Sequence, residues 1–360
     1  MKRVVIIGGA GYVGLQLAHE LRGADLEITA VTRENGRFLL RDFGYNVVIS
    51  DDIASVGKAD VVVNLAHPTS GPPQQYPMRN KEILDQIKAV MGPGSRLIHV
   101  STQAAFGNDL DRPVHTGRVA TIRDYPYIEG KIELENLLIE EFNTNSIQIV
   151  RLGNVWGPGS PAWTVPFVNK VLFGEPVGID GIDGYCNATD VANTASYLSF
   201  LISKDELRGL QFYHLAEMSA HRWSDWISRI ETALRQEAVF VPSLQQDPLN
   251  WQQEVREAFS PLRPASIYRN LAGTRVSGSS LRALIRRIGD NQFERVKKRY
   301  AKALPSGYSL GPSEKSFLQT VSCQTQFETK VLDQWKPPVD FEQSWSRVEA
   351  WMGNAGYSIY

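Results

Sequence analysis

The stretch Val4-Val5-Ile6-Ile7-Gly8-Gly9-Ala10-Gly11-Tyr12-Val13-Gly14 decides the fold. Four consecutive apolar residues, most of them β-branched, suit a strand buried on both faces of a parallel sheet. Glycines follow at once, and then Val13, Leu15, Leu17, Ala18 and Leu21 supply a mostly apolar helix ending near Gly23. The next strand is Glu27-Ile28-Thr29-Ala30-Val31. Further strands are expected at 46–49, 59–64, 96–100 and 146–150, with helices near 81–91 and 127–143 between the later ones. Buried strands alternating with amphipathic helices predict an α/β fold, a doubly wound parallel Rossmann sheet.

Bulk properties narrow the function classes. With 360 residues the chain is long for one core, so one large domain or two are expected. A net charge of -1 gives no global electrostatic reason to bind nucleic acid. Cys186 and Cys323 are the two cysteines, which rules out a disulfide framework or a thiolate zinc cluster. The six histidines form no evident metal set. The apolar run before Gly8 is too short for a secretory leader, and no run of about 18 apolar residues is present, so no membrane span is expected. The expected location is the cytoplasm.

Glycines at 8, 11 and 14 stand where a tight turn, a close backbone approach and a close helix–strand contact each exclude a Cβ. Such a turn at a helix N-terminus receives a dinucleotide's pyrophosphate. An acid at the end of the second strand would bond the ribose 2′-hydroxyl of NAD, whereas an arginine accommodates the 2′-phosphate of NADP. Here the strand ends Val31-Thr32-Arg33, with Arg37 close behind. NADP(H) is therefore expected, with Arg33 as its partner; Glu34, turned inward, would favour NAD instead. Asp52-Ile53, after the third strand, is placed to meet the adenine edge, with Asp51 sharing that role or lying in a solvated loop.

Tyr127 and Lys131 form the chain's single Tyr-x-x-x-Lys pair and share one face of the helix expected there. A free phenol, with a pKa of about 10, is a poor proton shuttle at neutral pH. A neighbouring ammonium stabilises the phenolate and brings it toward the working range. The Thr102 hydroxyl is placed to hold the oxygen of a carbonyl or alcohol undergoing hydride transfer, and Lys131 also to bond the nicotinamide ribose. Tyr125 is the competing tyrosine, but four residues beyond it stands Glu129.

Together these marks resemble the extended short-chain dehydrogenase/reductase family, which includes nucleotide-sugar epimerases, dehydratases and ketoreductases. Ile7 through Gly14 is similar to that family's cofactor turn, so the resemblance adds Tyr12 and Val13 to Gly8, Gly11 and Gly14 as cofactor-binding residues. Asn64-Leu65-Ala66-His67 resembles the strand lining the nicotinamide ribose, which implicates Leu65, Ala66 and His67. Asn80 matches an asparagine supporting the active site. Ser101 through Gly107 matches the segment whose second residue, here Thr102, is catalytic. Arg151-Leu152-Gly153-Asn154-Val155-Trp156-Gly157-Pro158 is similar to the segment beside nicotinamide and substrate, which places Asn154 at both. Tyr185 through Ala192 resembles the strand-to-helix start of the substrate region, and Trp335 through Val339, with Phe341 and Trp351, the closing segment.

The resemblance implies a Rossmann domain over 1–160 and a smaller, mixed, mainly substrate-binding region over 161–360, with about 185–216 returning to the Rossmann part. It also implies a homodimer through the helices near 81–91 and 127–143. Gln103 and Ala104 stand where family dehydratases carry an Asp-Glu pair, so dehydration is not expected; Gln103 is instead a candidate substrate contact beside Thr102, Tyr127 and Asn154. A 4-epimerase or a ketoreductase of a nucleotide-linked sugar remains. The alternatives are a reductase of steroid-, terpenoid- or flavonoid-like substrates and a non-catalytic cofactor sensor. The basic stretch 251–302 is either an arginine clamp for a nucleotide diphosphate or a solvated helix face. Trp163, Phe167 and Val168 are pocket or core, and Cys186 is an acid or, more simply, a small buried hydrophobe.

Overall fold

The structure is a computed structural model that describes residues 1–33, 36–40, 43–68, 73–105, 126–241, 317–318 and 320–357. Glu34, Phe106, Gly107, Tyr125 and the basic stretch 251–302 lie outside the described residues.

Seven strands form a parallel sheet: β1 (Lys2–Ile7), β2 (Leu26–Thr32), β3 (Asn46–Ile49), β4 (Val61–Asn64), β5 (Arg96–Thr102), β6 (Ser146–Leu152) and β10 (Leu210–Leu215). Their order across the sheet is β10-β6-β5-β4-β1-β2-β3, and every neighbouring pair is parallel. This is the doubly wound order, with chain direction across the sheet reversing between β1 and β4. The register sets Ile7 beside Asn64 and Asn64 beside His99, so β1 and β4 end side by side while β5 runs on to Thr102.

Burial follows the two-residue period of a strand. Val4 and Ile6 of β1 pack on one face with α1 (Tyr12–Glu20) and α6 (Val191–Ser203), through Leu17, Ala195, Leu198 and Leu201. Val5 and Ile7 pack on the other with α3 (Tyr76–Val90) and α4 (Pro126–Glu141), through Ile83, Ile87, Leu134 and Leu138. Helix α3 buries Asn80, Ile83, Leu84 and Ile87, the spacing of one helical face. A proline at its start is tolerated because first-turn amides have no intrahelical acceptor.

The chain divides into two compact units. One comprises Met1–Pro161, Cys186–His221 and Thr325–Ser344, and holds the sheet together with β7 (Asn154–Trp156) paired to β9 (Ala188–Asp190). The other comprises Ala162–Tyr185, Arg222–Gln324 and Trp345–Tyr360, with α5 (Thr164–Phe173), α7 (Trp223–Leu234) and β8 (Pro176–Ile179) paired to β11 (Val239–Val241). In this second unit Phe167 and Val168 are fully buried, and Trp163 stacks on Trp223 at 5.2 Å between centroids. These residues pack the unit's interior. Helix α2 (Arg37–Leu40) follows β2, and α8 (Phe341–Ala355) closes the described chain.

Candidate active site at the carboxyl ends of the strands

The glycine turn is built to keep backbone close to backbone. Gly8 takes φ +84° directly after β1, a conformation open to glycine, and its amide donates to Val31 O at 3.0 Å. A Cβ on Gly8 would sit 2.9 Å from Ala66 N, and one on Gly14 would sit 2.6 Å from the carbonyl carbon of Gly9. The turn leads into α1, whose N-cap is Gly11, with no side-chain cap and no acid in the first turn. Its first-turn amides, which have no intrahelical acceptor, are thus left without a competing carboxylate, as an anion requires. These residues fit a dinucleotide pyrophosphate. The Tyr12 hydroxyl donates to Pro158 O at 3.2 Å, which ties the helix start to the segment after β7.

Beyond β2, Arg33 is exposed, and its carbonyl accepts from Gly36 N at 2.8 Å. Gly36 closes this turn against the Thr32 hydroxyl, and a Cβ there would lie 2.6 Å from Ala10 Cβ. Gly36 is not among the expected site residues, although the Asn35-Gly36 dipeptide is a turn signal in sequence. After β3 a short 3₁₀ turn, Ser50–Ser55, exposes Asp51 and Asp52 and buries Ile53. Asp51 and Asp52 line a depression of about 550 Å³ with Arg37 and Val48, at the sheet edge and apart from the glycine turn.

The candidate proton-handling residues come from β5, which carries Thr102, and α4, which carries Tyr127 and Lys131. Lys131 is 4% exposed, and its ammonium donates to Val100 O at 3.0 Å, two residues before Thr102 at the end of β5. The same ammonium lies 6.0 Å from the Tyr127 ring centroid. Burial brings the Lys131 pKa down to about 8, against an opposing pull from Glu135. Thr102 is buried, and its hydroxyl oxygen accepts from Ala104 N at 3.3 Å. Tyr127, Lys131 and Thr102 are thereby gathered at one strand end.

Surrounding groups fix this arrangement. The Asn64 amide bonds His99 Nδ1 at 3.0 Å, while Asn64 Oδ1 accepts from Ala66 N at 3.1 Å, which shapes the Leu65-Ala66-His67 segment. His67 meets Tyr127 edge to face, with centroids 4.6 Å apart at 82°. Asn80 donates to Gly130 O and to Glu133, each at 2.9 Å, locking α3 to α4. Glu135 and Arg151, both fully buried, form a bidentate pair with bonds of 3.1 and 2.7 Å. Glu135 lies outside the Tyr-x-x-x-Lys pattern, and its signal in sequence is a third residue at four-residue spacing after Tyr127 and Lys131.

Two candidate contacts have their amide donors engaged elsewhere. Gln103 is fully buried and donates to Glu328 O at 2.9 Å, and the Asn154 amide donates to Cys186 O at 2.7 Å. Cys186 itself is buried, with its thiol donating to Met218 O at 3.1 Å, as a small core residue. Among the described residues, no three or more His, Cys, Asp or Glu side chains are grouped to hold a metal ion, and no helix is long and apolar enough to cross a membrane.

A parallel α/β sheet with a glycine turn after β1 and a Tyr–Lys pair at the end of β5 defines a dinucleotide-dependent class. A profile of the NAD dependent epimerase/dehydratase family matches residues 4–193, more than half of the chain, and the chain belongs to that family. A curated relative, UDP-glucuronic acid decarboxylase 1 of Arabidopsis thaliana, is 26% identical over 175 residues. That match covers 43% of this chain and 40% of the relative, so it spans less than half of that protein's length. Among solved structures, epimerase Mth375 of Methanothermobacter thermautotrophicus superimposes with a TM-score of 0.58 at 15% identity, covering 98% of this chain and 92% of that one. UDP-glucose-4-epimerase of Stenotrophomonas maltophila, solved with bound NAD and formylated UDP-arabinopyranose, gives a TM-score of 0.51 at 21% identity, over 69% and 87%. At these identities the structural likenesses establish the fold.

Proposed function

We propose that the chain is an NAD(P)-dependent oxidoreductase or epimerase acting by hydride transfer at a sugar carbon of a nucleotide-linked sugar. The observation that carries this reading is the buried Lys131 ammonium, anchored on Val100 O beside Tyr127 at the end of β5. A positive charge held there lowers the cost of a phenolate, so Tyr127 can give or take the proton of a carbinol oxygen. Thr102, one strand-end away, holds that oxygen. The bound nicotinamide supplies or accepts the hydride. Backbone of Gly8, Gly11, Tyr12, Val13 and Gly14 would hold the pyrophosphate, Asp52 and Ile53 the adenine end, and the backbone of Leu65, Ala66 and His67, with Lys131 and Asn154, the nicotinamide end.

Dehydration finds no support in Gln103, whose amide is committed to Glu328 O, or in Ala104. Ketoreductase and 4-epimerase both use the same three residues. In this reading 1–160 is the cofactor domain, and 161–360 is mainly the substrate region, with about 185–216 returning to the first. The protein works in the cytoplasm as a homodimer paired through α3 and α4.

NADP(H) is our choice of cofactor, with Arg33 as the 2′-phosphate partner: its side chain is exposed on a turn that Gly36 closes against Ala10 of the glycine loop. The test is to denature the purified protein, identify any nucleotide released, and titrate the emptied protein with NADPH and NADH. Stoichiometric retained nucleotide favours an epimerase, and selective exchangeable NADPH favours a reductase. Arg33→Ala should cost roughly tenfold in NADPH affinity, about the energy of one charge-assisted bond, and leave NADH unchanged. Equal losses for both would refute the NADP assignment. Failure to bind any nucleotide diphosphate would shift the substrate to the steroid, terpenoid or flavonoid class.

A further inference from the structure

His67 does not fit a purely structural role. Its ring is wedged between Tyr127, at 4.6 Å, and Tyr76, at 5.9 Å, both edge to face. The wedge sits in a notch on α4 made by a missing side chain: a Cβ on Gly130 would lie 3.0 Å from Tyr76 Cδ2 and 3.5 Å from His67 Cε1. A phenylalanine would fill such an aromatic wedge equally well. Yet both His67 nitrogens are buried, and among the described residues neither has a hydrogen-bond partner. Burying unpaired polar atoms is costly, and among the described residues His67 is the one side chain that leaves two of them so.

The chemistry of the ring narrows what it serves. Burial first, then the Lys131 ammonium and His99, holds the imidazole far below its usual range, to about 2. His67 therefore stays neutral at every working pH. A ring held neutral is no cationic acid, and one that carries no charge is a poor seat for a phosphate or carboxylate. A neutral imidazole offers one N–H donor and one lone-pair acceptor, which is the complement of a hydroxyl group.

We propose that His67 is a substrate-binding residue that receives a sugar hydroxyl next to the carbon whose oxygen Tyr127 serves. The proposal rests on the nucleotide-sugar reading given above. In the packing described, both nitrogens are covered by protein, so engagement requires the ring to turn. Rotation by half a turn about Cβ–Cγ exchanges nitrogen and carbon positions and leaves the ring's shape unaltered, so the notch at Gly130 accommodates both orientations.

The experiment measures Kd for UDP, UDP-glucose and UDP-glucuronic acid on wild type, His67→Phe and His67→Gln, each loaded with nicotinamide cofactor, alongside melting temperature. In wild type at least one sugar conjugate should bind tighter than UDP. His67→Phe should melt no lower than wild type, bind UDP unchanged, and lose roughly tenfold of the sugar increment, the effect of one hydrogen bond. His67→Gln, which restores a donor and an acceptor, should recover part of that loss. A sugar increment that survives intact in His67→Phe overturns the role of His67 and leaves the nucleotide-sugar reading standing. A wild type that binds neither conjugate better than UDP overturns both. A His67→Phe protein that melts lower and binds UDP less well marks a structural role and likewise overturns the proposal.

Discussion

At the glycine turn the binding surface is backbone; at the end of β5 it is side chains. The first is made by Gly8 and Gly14, where a Cβ would strike neighbouring main chain, by Gly11, where it would lie 3.3 Å from Gly8 O, and by a helix start without a carboxylate. The second is made by Tyr127, Lys131, Thr102 and His67, whose properties depend on burial and on charged neighbours from other elements. Backbone binding is specified by what a residue lacks, and a single glycine states it. Side-chain chemistry is specified by surroundings, so the same tyrosine and lysine on an exposed helix would titrate as free groups.

Substitutions at the two ends should therefore fail in different ways. The largest effect is expected for Tyr127→Phe, which keeps the ring contact with His67 and removes the proton: turnover should fall by about 10²–10⁴-fold. Cofactor affinity and melting temperature should change little. Near-normal turnover in steady-state assays would show that the proton is handled elsewhere.

Next is Gly14→Ala. The new methyl must push Gly9 away, an overpacking cost of roughly 1–3 kcal/mol, which should weaken dinucleotide binding about ten- to a hundredfold. Titration would show this, while the pH profile of the remaining activity should keep its shape. A shifted profile would mean that the two ends are coupled more tightly than their construction indicates.

The smallest effect concerns pH. The folded Lys131 loses its proton near 8 and the unfolded one near 10.5, because burial disfavours the charge. Below pH 8 both states are charged, and burial of the ammonium is a standing cost to the fold. Between about 8 and 10.5 the folded chain sheds the proton first, so this group's contribution makes stability rise with pH through that window. Turnover should move the opposite way, falling above pH 8 as the phenolate loses its cation. Comparison with Lys131→Met isolates both: the variant should lack the alkaline limb near 8 and the rise in stability. Identical profiles for the two proteins would show that Lys131 is not the titrating group.

Much of the fold could be read from local pattern. Strands β1, β4, β5 and β6 stand out as short apolar runs because a parallel sheet covered by helices buries both faces of its inner strands, while the edge strand β3 is only half-buried. Boundaries shifted where local chemistry permitted: α3 begins at Tyr76, before the expected start near 81, since proline is compatible with a helix's first turn. Position in the sheet was harder to read. Nothing local in Leu210–Leu215 says that β10 pairs with β6, because pairing partners distant in sequence leave no periodic trace. The candidate site divides in the same way: Tyr127 and Lys131 follow from spacing, but the Glu135–Arg151 pair and the Asn80–Gly130 bond join different elements.

Sequence alone determined the parallel α/β class, the glycine turn and the shared helical face of Tyr127 and Lys131, because each is written within one element or one strand–helix unit. Tertiary structure alone decided that Lys131 is buried against Val100, that the Gln103 amide donates to Glu328 O, and that His67 is wedged neutral beside Tyr127 with no hydrogen-bond partner among the described residues. Those facts depend on desolvation and on neighbours brought in from elsewhere in the chain, and desolvation exists only once the elements have packed.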